Sequence, residues 1–93
     1  MANIKEFKMD VKQMVKQFLQ ECYTHLAYSP PLHQENILDI ISDAMELEKE
    51  MIRKINELPA KREQLPKNYF RSLSNDFYDR IVEFTERLNS LEY

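Results

Sequence analysis

A chain of 93 residues without a single glycine has few ways to reverse direction. Glycine is the residue that enters left-handed backbone conformations without steric cost. Its absence removes glycine-rich phosphate loops, type I′ hairpin turns and the dinucleotide-binding fingerprint together. Reversals then fall to proline and to polar residues such as Asn and Ser, which suits helices joined by a few loops.

The apolar residues carry the same message. Ile4, Phe7, Val11, Met14, Val15, Phe18, Leu19, Cys22 and Leu26 recur at steps of three and four. At about 100° per residue they fall within an arc of roughly 140°, the buried face of one long helix. That helix is expected over 3–28, with Asn3 as N-cap. It stops at "SPPLH", where Pro30 and Pro31 lack backbone donors and disfavour helical dihedrals in the residue before each.

A second series, Ile37, Leu38, Ile40, Ile41, Ala44, Met45, Leu47, Met51, Ile52, Ile55 and Leu58, predicts a helix over 33–58. Its apolar face covers about half of the helix circumference, more than one partner helix hides, so it is expected to sit between two neighbours. A third series, Phe70, Leu73, Phe77, Ile81, Phe84, Leu88 and Leu91, predicts a helix over 66–92, with Pro66 in its first turn. The intervening 59–65 segment has room for one helical turn. The expected fold is therefore all-α, a single domain built as an up-down-up three-helix bundle with coiled-coil-like packing.

Hydrophobic residues make up 43% and charged residues 31% of the chain, the range of soluble helical domains. The chain has no apolar run of the roughly 18 residues that a membrane span needs, and its first ten residues lack the apolar core of a secretory signal. One cysteine, Cys22, cannot form an internal disulfide, which favours a reducing compartment and a cytoplasmic location. Its place on the apolar face of the first helix predicts a buried, inert thiol.

The formal charge of −3 is unevenly spread. Lys5, Lys8, Lys12 and Lys16 form a stripe along one edge of the first apolar arc, while residues 21–60 are strongly acidic. The lysine stripe lacks clustered arginine and a stacking aromatic surface, so nucleic acid is not the expected partner and no membrane binding is predicted. Its expected role is to cover apolar surface with lysine stems while the ammonium groups face water or the acidic second helix.

Within the second helix, "DIISDAMELEKE" crowds carboxylates together. Asp39, Asp43, Glu46 and Glu50 fall on one stripe directed away from the expected core, an exposed face rather than a metal site. Two-metal bundles need inward carboxylates and Glu-x-x-His pairs, and no such pair occurs. Glu48 is different. It lies among Ala44, Met51, Ile52 and Ile55, in the middle of the apolar arc, where an unpaired carboxylate costs several kcal/mol, about 3 or more. Arg80 of the third helix is its expected partner in a register-fixing pair, with Lys12 as the other candidate.

His25, near the end of the first helix, leans inward and is expected to pack as a hydrogen-bonded side chain favoured by the helix dipole. Cys22 and His25 share a face, but no orienting group or oxyanion hole accompanies them. No catalytic residue, metal or cofactor is implied.

The reading that follows is a small, acidic, non-catalytic helical module that binds another protein or itself. A homodimer stands level with a monomer, because Met9, Ala27 and Val82 fall off the main arcs. Two alternatives belong to other classes. One is a small all-helical enzyme of the metal-dependent nucleotide hydrolase type, with its site between helices or chains. The other is an immunity- or antitoxin-like neutraliser that meets a basic partner with the carboxylate stripe.

Overall fold

The structure is a computed structural model that describes residues 4–57 and 69–91. The described residues form three helices: α1 (Ile4–Tyr28), α2 (Pro31–Asn56) and α3 (Tyr69–Asn89). Each packs on the other two, making an all-α three-helix bundle. Asn3, Leu58, the 59–65 segment and Pro66 lie outside the described residues.

The helix ends show how the chain manages without glycine. No described residue has positive φ. Ser29 ends α1 by donating its hydroxyl to the His25 carbonyl at 2.5 Å. Pro30 is extended, at φ −64° and ψ 156°, and caps α2 without a side-chain hydrogen bond. Pro31 then opens α2, two residues earlier than the sequence predicts. Its fixed φ is helical and its missing N–H would have no partner in the first turn, so the second proline starts a helix that the first one forbids. At the end of α3, Ser90 donates its hydroxyl to the Arg87 carbonyl at 2.7 Å and its amide to Glu86 at 3.0 Å. A serine thus covers carbonyls that a left-handed glycine would otherwise satisfy.

The core is a single cluster along the bundle axis. From α1 it takes Phe7, Val11, Val15, Phe18 and Cys22; from α2 Ile37, Ile40, Ile41, Ala44, Leu47, Met51 and Ile55; from α3 Leu73, Phe77, Phe84 and Leu88. No polar or charged residue among those described is fully buried.

Ring contacts fix how α3 lies against α1. Phe7 meets Phe70 edge-on, with centroids 6.3 Å apart. About three turns further along α1 and about four along α3, Phe18 packs on Phe84 with centroids at 6.1 Å. Both helices therefore advance in the same direction. Across the bundle, Arg87 near the end of α3 and Leu91 just past it lie beside Asp39 and Ile40 of α2, while Phe77 and Arg80 lie beside Leu47 and Met51 further along it, so α2 runs opposite to both. The order is up, down, up.

Candidate functional site

α3 packs along one edge of α2 and leaves the other edge bare. Leu47 and Met51 of α2 share a cleft with Phe77 and Arg80 of α3. Asp39 and Ile40 share another with Arg87 and Leu91. The covered flank of α2 is therefore the one carrying Leu47, Met51 and the carboxylates beside them. On the opposite flank Leu38 is 52% exposed and Met45 is 48% exposed. α2 sits between two neighbours, as its broad apolar face predicts, and α1 and α3 cover one side of that face and its centre.

Leu38, Met45 and Ile52 are spaced by sevens, which stacks them in one line along the helix. Beside this ladder, the seam between α1 and α2 opens into two adjoining grooves that share Glu48 as a wall. One, of about 590 Å³, runs between Lys12 of α1 and Ile52, Lys49 and Arg53 of α2. The other, of about 420 Å³, runs between Glu48 and Val15, Lys16, Leu19 and Tyr23 of α1. No α3 residue lines either groove. The result is a continuous shallow trough with a largely apolar floor, flanked by the ladder on α2 and by the half-exposed Tyr23 ring on α1.

Glu48 is half-buried in this trough and makes no hydrogen bond or ion pair with any described residue. The predicted Glu48–Arg80 pair does not form. Arg80 lies on the other flank of α2, 3.5 Å from Glu83 of its own helix and with its guanidinium over the Phe84 ring at 5.0 Å. Lys12, the other candidate, does share the Glu48 groove.

The predicted acidic stripe is exposed, but it does not point squarely away from the bundle. Asp43 accepts from Arg87 of α3 at 2.9 Å, and Glu50 lies 3.4 Å from Lys54. Asp39 borders the α2–α3 cleft, and Glu46 is exposed. Asp39, Asp43 and Glu50 thus rim the α3 docking site.

His25 is half-buried on the last turn of α1, as its spacing predicts. Cys22 is fully buried, and burial pushes its thiol up to about 11, with nearby Glu21 adding to the shift. A thiol held protonated is a poor nucleophile. Among the described residues, no three His, Cys, Asp or Glu side chains are grouped so as to hold a metal ion. Among the described residues, no helix is long and apolar enough to cross a membrane. Comparison with known proteins finds no family, no curated protein and no solved structure that this chain matches.

Sequence reasoning identified the apolar excess of α2 and the inward Glu48, but not the trough. The available signal was the heptad line of Leu38, Met45 and Ile52, which is more apolar surface than a two-sided neighbour set needs.

Proposed function

We propose that this chain is a non-catalytic helical module that binds a protein partner through the open face between α1 and α2. One observation carries the reading: the Leu38–Met45–Ile52 ladder stands beside an apolar-floored trough that α3 leaves uncovered. Contiguous apolar surface rimmed by charge is a recurring feature of interaction sites, and a helix-lined groove suits an amphipathic helix. A single buried cysteine suits a reducing compartment, in keeping with a cytoplasmic role.

The neutraliser reading draws less support, because two of its four carboxylates already have cationic neighbours in Arg87 and Lys54. The test is a comparison of partners retained from native cells by the wild-type chain and by Met45→Lys, an exposed position where the fold should persist. A protein held by the first and lost by the second supports the reading. Identical sets, with helicity unchanged, refute it. A melting temperature raised by divalent metal with nucleotide would restore the enzyme reading.

A further inference from the structure

We infer that the occupant of the α1–α2 trough is an acidic amphipathic helix from another protein. This rests on the reading above that the open face is the binding surface, and it adds the chemistry of what lies there. The floor sets the shape of the ligand. Val15, Leu19 and Ile52 lie between two helical walls, and the ladder on the α2 wall repeats every seven residues, the repeat with which a helix presents its apolar knobs.

The walls set its charge. Lys12 and Lys16 stand on the α1 side, Lys49 and Arg53 on the α2 side, against the carboxylates of Glu48 and Glu57. Arg53 and Glu57 are already paired at 3.4 Å, whereas Lys12, Lys16 and Lys49 form no ion pair with any described residue. On a chain of net charge −3 the trough is thus a cationic island, complementary to carboxylates flanking an apolar stripe.

The same charges disfavour two other occupants. A second copy docked by two-fold symmetry would bring the same lysines face to face. Of its carboxylates, Asp39, Asp43 and Glu50 lie on the α2–α3 flank, away from that contact, which leaves only Glu48 and Glu57 of each copy against four cations of the other. An anionic bilayer would meet the lysines, but a flat surface does not reach a floor sunk between two helices.

The experiment is a fluorescence-anisotropy titration of the full chain with two synthetic helical peptides of about 20 residues, enough to span the trough at 1.5 Å per residue. Both carry leucine at the inward heptad positions; one carries glutamate at the flanking positions and the other lysine. The glutamate peptide should bind, more weakly as salt is added. The double variant Lys12→Glu/Lys16→Glu should weaken it about tenfold, the scale of two rim charge pairs, with its circular dichroism and melting unchanged.

Equal binding of the lysine peptide would overturn the acidic preference while leaving the trough as a site. Binding of neither peptide, or undiminished binding by Met45→Gln, which removes the apolar contact without adding a charge, would overturn the trough reading itself. Tighter binding to phosphatidylserine vesicles than to the glutamate peptide, or a light-scattering dimer abolished by Met45→Lys, would replace the inferred occupant with a membrane or a second copy.

Discussion

Glu48 and Cys22 show how differently one bundle treats two groups that both lean inward. The carboxylate stands half-buried in the trough and makes no hydrogen bond or ion pair with a described residue, so exchanging it for an apolar side chain of similar reach loses no direct partner and buries more apolar surface. Glu48→Met should therefore raise the unfolding free energy by about 1 kcal/mol in urea denaturation, with the same oligomeric state. A loss of stability would show instead that the carboxylate has a stabilising partner. Cys22 sits fully inside, and its thiol is raised from 9.0 to about 11 in the folded chain. Above pH 9 the unfolded thiol gives up its proton first, so the unfolded state binds fewer protons and stability falls as pH rises from about 9 to 11. Cys22→Ala should remove that component, seen as a shallower stability decline than wild type across the same window. Thiol reagents at neutral pH should label Cys22 only once the chain is unfolded.

At the scale of the element, α3 is anchored from two sides through Phe84. The ring packs inward on Phe18, while the guanidiniums of Arg80 and Arg87 lie over it at 5.0 and 5.7 Å. Phe84→Ala should cost about 3–5 kcal/mol, read from the urea midpoint, because it opens a cavity and removes the seat of both cations. Asp43→Asn, which breaks a half-exposed pair with Arg87, should cost only about 0.2–1 kcal/mol and less at high salt. Much of this architecture was legible. Apart from Leu58, outside the described residues, and Leu91, past the end of α3 at Asn89 where the sequence predicts helix to 92, the three apolar series fall on the observed helices, and the absence of glycine pointed to reversals built on proline and polar residues such as serine. The failure at Glu48–Arg80 has a definite cause. A helical wheel gives the direction of a side chain on its own helix, but not which flank a third helix will take. An α1–α2 hairpin has two faces, and the apolar surface of α2 was wide enough to receive α3 on either. α3 took the Leu47–Met51 flank, and Glu48, Met45 and Ile52 were left on the other. The site escaped the sequence because it is the face that α3 did not choose.

At the scale of the molecule, the bundle is a rod with principal extents of 51 × 17 × 17 Å. Its Cα radius of gyration of 15.5 Å exceeds the roughly 12 Å of a compact globule of this length. Small-angle scattering should give a pair-distance distribution with the skewed tail of an elongated particle at monomer mass. A symmetric distribution would contradict the parallel stacking of long helices. Because three is odd and α1 runs parallel to α3, the first turn of α1 and the last turn of α3 lie at opposite ends of this rod. Whatever is joined before Ile4 is therefore held away from whatever is joined after Leu91 by nearly the full length of the helices. Tension applied between those two points would pull α1 and α3 past α2 in shear, loading the whole interlocked core at once rather than peeling it turn by turn. Mechanically, the domain is a strut, and a helix clasped in its trough would be an added splint along the direction of load.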